Sequence, residues 1–302
     1  MKLKIFLLFL GLLSFSFAFS QDDEKPARKN KGIKGFHAGL YLGSLFANKY
    51  TAKFYDGYGY DETGKRNDFF SSFMYRRIVI DYGGGNGQHD YVADALGVQH
   101  GEWSFDQTDM PVKMKYNPAV LTGLQLDYGF TKNDAFLMNI NASKLSVSGD
   151  FTIVVTNPKI GPTQPNYQDI RTFGISGGEQ RLMIQLGYCR ILGNTDESPI
   201  NCFFEAGGIL NAVKYLRNQA TISTLPIDLS FYYTQPYYLT YRASYLRGTG
   251  WGAFAGFGIH LEASAKWTLQ LLYSPSFEKI NMGEAPKFSL QHSAGFRAFY
   301  NL

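Results

Sequence analysis

Residues 288–302 read FSLQHSAGFRAFYNL, and this stretch decides the fold. Phe288, Leu290, Ala294, Phe296, Ala298, Tyr300 and Leu302 share one face of an extended chain; Ser289, Gln291, Ser293, Gly295, Arg297 and Asn301 share the other. Successive side chains of a strand point to opposite faces, so a period of two sorts these residues cleanly, whereas a helical period would mix them. One face suits an apolar medium, and the other suits a polar interior.

Seven earlier segments repeat the pattern. Residues 35–45 set Phe36, Ala38, Leu40 and Leu42 against His37, Gly39, Tyr41 and Gly43. Residues 119–129 set Val120, Leu124, Leu126 and Tyr128 against Gly123, Gln125 and Asp127. The others are 135–143, 181–189, 202–212, 251–262 and 266–273, the sixth with a line of Gly252, Gly256 and Gly258 on its polar face. Aromatics gather at segment ends (Phe136, Trp251, Trp267, Tyr273, Phe288, Tyr300), as girdles at two membrane interfaces require. A strand crossing a bilayer needs about 9–11 such residues. The expected fold is all-β: a transmembrane up-and-down antiparallel barrel of eight strands, with long extracellular loops carrying extra β structure. A composition of 16% aromatic residues, 32 Gly and 11 Pro fits many alternating strands.

The N-terminus points to export. Lys2 and Lys4 precede an apolar run over residues 5–17, and Ala18-Phe19-Ser20 puts small residues at the −3 and −1 sites before Gln21. The run falls short of the ~20 residues of a helical span. Residues 1–20 are therefore expected as a signal peptide cleaved after Ser20, 21–34 as a charged periplasmic tail, and 35–302 as the barrel in a bacterial outer membrane. The formal net charge of +4 drops to +2 when Lys2 and Lys4 leave, which gives no reason to expect a nucleic-acid partner. Cys189 falls on an inward face and Cys202 on an outward one, an arrangement that disfavours a disulfide.

Short connections alternate with long ones, and barrels of this class keep short turns in the periplasm. The long ones include residues 48–115 and a Tyr-rich stretch at 214–249. Within the first, residues 69–84 (FFSSFMYRRIVIDYGG) read as a strand and 83–90 (GGGNGQHD) as a turn. Residues 227–246 also look strand-like. Arg76, Arg77 and Asp81 argue against using these stretches as extra spanning strands, because charge facing lipid costs ~2–4 kcal/mol near the midplane.

Eight strands leave an interior filled by side chains. The inward polar set contains Asp127, Asn139, Gln185, Glu205, Glu262, Gln270 and Arg297, and a buried charge needs a partner. Arg297 is expected to meet Glu205, since both lie on the polar phase at similar depth. The loop aromatics Tyr58, Tyr60, Phe69, Phe70, Tyr232, Tyr233, Tyr237, Tyr238 and Tyr241 are candidate partner-binding residues, because Tyr and Phe with nearby Arg are what interface cores use. Catalysis finds little support. No His-x-Ser pair supplies the base and nucleophile of a lipid-modifying enzyme, and Gln291-His292-Ser293 puts His and Ser on opposite faces. Asp90, Asp94, Asp106, Asp109, His89 and His100 in the first loop lack a diagnostic spacing. GGGNG matches part of a calcium-binding glycine repeat, but His89 stands where that repeat needs Asp, so a turn is expected. No metal or cofactor site is expected.

The Ser20/Gln21 junction and the glycine- and aromatic-rich strands resemble Bacteroidota outer-membrane proteins. The mature chain is similar to their eight-stranded outer-membrane β-barrel, or PorT-like, group, in which the final strand alternates to the C-terminus. That pattern prefers a terminal Phe or Trp; Leu302 departs from it, while Tyr300 keeps the preceding outward position aromatic. The resemblance implies a non-enzymatic outer-membrane barrel whose namesake serves type IX secretion. The expected role is thus an accessory or structural subunit of an outer-membrane assembly for secretion, barrel insertion or uptake. Its surroundings would be outer-membrane lipid and lipopolysaccharide, and its partners other outer-membrane or secreted proteins. A small porin or surface ligand-binder with ten or more strands is the alternative, and a lipid-modifying enzyme the second.

Overall fold

The computed structural model describes residues 33–61, 64–83, 90–156, 168–194, 198–234, 247–282 and 287–301; the expected signal peptide, most of the charged tail and much of 83–90 and 235–246 lie outside them. Eight strands make the barrel: β1 (Gly35–Phe46), β2 (Ala119–Gly129), β3 (Asp134–Val155), β4 (Asp169–Leu192), β5 (Ile200–Ile222), β6 (Arg247–Glu262), β7 (Trp267–Asn281) and β8 (Phe288–Asn301). Each pairs antiparallel with the next. β8 returns to β1, with Tyr41 opposite Arg297, and so closes the ring. Closure satisfies every edge, which a sheet in hydrocarbon must do.

The outward face carries Leu40, Leu42, Val120, Leu124, Leu186, Leu210, Phe257 and Leu271, all exposed, as a continuous apolar band. Trp267 meets Tyr300 edge-on at 5.3 Å at one rim, and Trp251 meets Phe288 at 5.1 Å toward the other. These pairs are the two girdles, and an outward apolar band between aromatic rims makes this a transmembrane barrel. No helix among the described residues is long and apolar enough to cross a membrane. Cys189 is buried and Cys202 exposed, and both are free, as their opposite phases require.

The strand lengths depart from expectation. β3, β4 and β5 have 22, 24 and 23 residues, about twice what a crossing needs. All three begin or end at the short-turn end, so the surplus stands beyond the band at the opposite end. The inward face of this extension is apolar (Val147, Phe151, Ile153, Ile175, Ala220, Ile222), so it must be covered. The connection from β1 to β2 covers it as a folded cap: α1 (Lys49–Ala52), a 3-10 turn (Lys53–Tyr55), α2 (Phe73–Tyr75) continued by a wide helical turn (Arg76–Asp81), and α3 (Tyr91–Leu96).

The described part of 69–84, residues 69–83, is thus not a strand. Ser72 accepts from the Tyr75 amide and starts a helix at Phe73, and the spacing of Phe73, Met74, Arg77 and Ile78 puts those side chains on one buried face. Of residues 227–246, the described part is a short strand pairing with β5 and then α4 (Phe231–Thr234). The two long connections meet there. Arg77 donates to Asp81 at 2.9 Å and to the Tyr82 hydroxyl at 2.7 Å, Tyr232 donates to Asp81 at 3.0 Å, and the Phe73 and Tyr232 rings pack at 5.0 Å. The charges that argue against a membrane span hold the cap together.

Candidate functional site

The lumen contains two layers of buried charge. In the layer nearer the short turns, Arg297 of β8 reaches across the barrel to Glu205 of β5, Nη1 donating to Oε2 at 2.6 Å and Nη2 to Oε1 at 2.9 Å. The strands are not neighbours, so a long carboxylate must lie across β6. Gly256 of β6 stands opposite Glu205 in register, and a Cβ there would overlap the Glu205 side chain. The glycine line of β6 is what lets the pair form. Gln270 accepts weakly from Arg297 at 3.4 Å and holds His260 at 3.2 Å, and Asp127 is buried on the same inward face. Glu262 ends β6, half-buried. Asn139 and Gln185 join by a 3.1 Å hydrogen bond above this layer.

The second layer lies under the cap and was not singled out in the sequence. Arg181 of β4 donates to Glu179 at 2.6 Å, to Gln291 of β8 at 2.8 Å and to Thr51 of α1 at 3.1 Å. Glu179 also accepts from the Tyr55 hydroxyl at 2.7 Å and the Tyr116 hydroxyl at 3.0 Å. Burial, with Glu179 beside it, pushes the Tyr55 phenol well above its usual range, so Tyr55 stays a donor. Glu278 of β7 completes the layer, accepting from Asn211 at 2.8 Å and Gln291 at 3.2 Å. Arg181 shares the phase of Gln185 and Gly187, and that signal was present in the sequence. Glu179 and Glu278 fall outside the bilayer-length segments and had none. Between the layers remains a cavity of ≈ 20 Å³, about the room of one water.

Three of the five described loop aromatics serve the core of the cap rather than its surface. Tyr60, Phe69 and Tyr232 are buried with Phe54, Tyr55, Phe73 and Ile78 in one cluster. As a partner-binding surface these three are a correction, because an aromatic that closes a core has no area left to offer. Phe70 is 70% exposed, and Tyr58 is half-buried with the Arg66 guanidinium 4.0 Å above its ring. The side chains of Tyr233, Tyr237, Tyr238 and Tyr241 lie outside the described residues.

The loop acids are structural too. Asp90 caps α3 by accepting from the Ala93 amide and also contacts His100; Asp106 and Asp109 form a reciprocal capping box around a 3-10 turn. Among the described residues no group of three His, Cys, Asp or Glu converges on a point. On the cap's flank a cleft of ≈ 530 Å³ is lined by Lys53, Phe54, Tyr58, Arg66, Met110 and Lys287, among others.

Comparison with protein-family models and with curated proteins finds no match. Among solved structures the chain is similar to Neisserial surface protein A (7% identity, TM-score 0.39, covering 88% of this chain and 96% of that one). It is also similar to OprG from Pseudomonas aeruginosa (9%, TM-score 0.38, covering 91% and 100%) and to Ail of Yersinia pestis (6%, TM-score 0.34, covering 89% and 99%). Likeness at this level carries no functional residue across.

Proposed function

We propose that the chain is a non-enzymatic barrel of a bacterial outer membrane, an accessory or structural subunit of an assembly for secretion, barrel insertion or uptake. In this reading the signal peptide is cleaved after Ser20, the short turns face the periplasm and the cap faces outside. The observation that supports it best is the cap. A connection of some seventy residues builds its own aromatic core on the extended strands and is tied through Thr51 and Tyr55 to charges inside the lumen. A barrel filled in this way suits presentation of a rigid surface rather than passage of solutes. The partner would be an outer-membrane or secreted protein meeting exposed residues such as Phe70, Ile80, Tyr91 and Val112. Purification from gently solubilised membranes is the test: a stoichiometric protein partner, lost on Phe70→Ser with Val112→Ser, is the expected outcome. A clean monomer would count against the role.

The flank cleft favours a second reading, a surface ligand-binder. Its apolar floor and its cations Lys53 and Lys287 suit a small amphiphile carrying a negative charge. Saturable binding to the purified monomer, lost in Lys53→Gln with Lys287→Gln, would favour this reading over the first.

A further inference from the structure

The barrel's outward face carries a row of cations at one level. Lys144 of β3 stands opposite Gln180 of β4, Gln180 opposite Lys214 of β5, and Lys214 opposite Arg247 of β6. All four side chains are exposed. Strands lie about 4.8 Å apart, so the row covers roughly 14 Å. A bulge in β5 leaves both Leu216 and Arg217 exposed, and Arg217 adds a fourth cation one register step further out, opposite Gly178. None of the four cations makes an ion pair with the described residues. Among the described residues of these strands and of the short strand paired with β5, the nearest outward carboxylates are Asp228, on the short strand, and Asp150, on β3, two and three register steps beyond the row.

The medium below the row differs sharply. One step toward the short turns the same strands show Ala142, Leu182, Ala212 and Thr249, and one step further Ile140, Ile184, Leu210 and Trp251. The cations therefore sit where the apolar band ends. Exposed charge at that boundary, without an ion-pair partner among the described residues and directly above an apolar wall, matches a ligand with acyl chains below and phosphates above.

We propose that Lys144, Lys214, Arg217 and Arg247, with Gln180, form a docking site for the phosphorylated headgroup of an outer-leaflet glycolipid of the lipid A type. Its acyl chains lie along Leu182, Ile184, Leu210 and Trp251. The guanidiniums supply forked donors to phosphate oxygens and the ammoniums compact point charges. This proposal rests on the reading that the long-strand end faces outward, and it requires no protein partner.

The test uses the full-length mature protein in non-ionic detergent micelles, with bisphosphorylated lipid A, chemically dephosphorylated lipid A and inorganic phosphate as three separate probes. Lipid retention is read by native mass spectrometry, and folding by mobility on unheated gels. Bisphosphorylated lipid A is expected to bind, and K144Q/K214Q/R247Q to weaken it roughly a hundredfold, about fivefold per cation. K65Q in the cap should leave it unchanged. Equal binding by both lipids, or by variant and parent, would overturn the proposal, and so would phosphate alone competing at millimolar concentration. Should the triple variant misfold, the single variants and salt dependence decide, since a true phosphate site weakens with ionic strength. Orientation is checked separately, by protease access to the cap on intact cells, so an inverted barrel and a missing lipid site give different results.

Discussion

Arg297 and Glu205 show what a single buried pair does inside so narrow a barrel. Each is nearly inaccessible, and the bidentate geometry satisfies both carboxylate oxygens. Removing one partner strands the other charge, which typically costs ~3–5 kcal/mol, whereas replacing both costs less because no charge is left alone. Urea unfolding in micelles should thus rank Arg297→Met and Glu205→Gln below the double variant. If the double variant proved the least stable of the three, the two side chains would be independent. Gly256 offers a sharper version: Gly256→Val should destabilise as much as losing the pair, since its side chain must displace Glu205.

At the scale of elements, the joint between α1 with its following turn and the upper lumen decides whether the cap is a lid or part of the core. Gly177 of β4 lies against the Tyr55 ring, where a methyl group would overlap it. Gly177→Ala should loosen the cap while the barrel stays folded, visible as faster proteolysis within residues 47–118 at unchanged gel mobility. Asp56 provides a pH-dependent check. Its burial pushes the carboxyl above the ordinary range, opposed by the Arg66 guanidinium 2.7 Å away. A raised folded value means that its contribution to stability is full below the ordinary carboxylate range and is lost as pH rises through the folded value. Asp56→Asn should therefore gain on the parent as pH increases, in hydrogen exchange of the cap amides. A gap that narrows with pH would contradict this assignment.

For the whole molecule, two charged layers, a cavity of ≈ 20 Å³ between them and a cap above fill the described lumen with side chains. Planar-bilayer recordings should show no steady conductance. A persistent open level would mean that the cap swings away and both layers separate. Arg181→Met is the variant to compare. It breaks bonds to Glu179, Gln291 and Thr51 at once, and should raise both cap proteolysis and the frequency of transient openings.

The sequence by itself determined the eight strands and which way each residue faces. A period of two against two different media is a local property, carried by neighbours such as Phe296 and Arg297 and legible without knowing any distant contact. For the same reason Cys189 and Cys202 could be placed on opposite faces, and Arg297 in the lumen. Tertiary structure decided what depends on distant partners. The upper halves of β3, β4 and β5 face no lipid, so their length cannot be read from a bilayer-sized pattern; the cap that buries Phe151 and Ile175 accounts for it. Residues 69–84 mix β-branched and aromatic side chains that suit a strand, yet Ser72 caps a helix there because its buried face meets Tyr232 and the rest of the cap core. Tyr60 and Phe69 look like interface residues in the chain and are core in the fold, because which apolar surface is left over is settled only once every element has been covered.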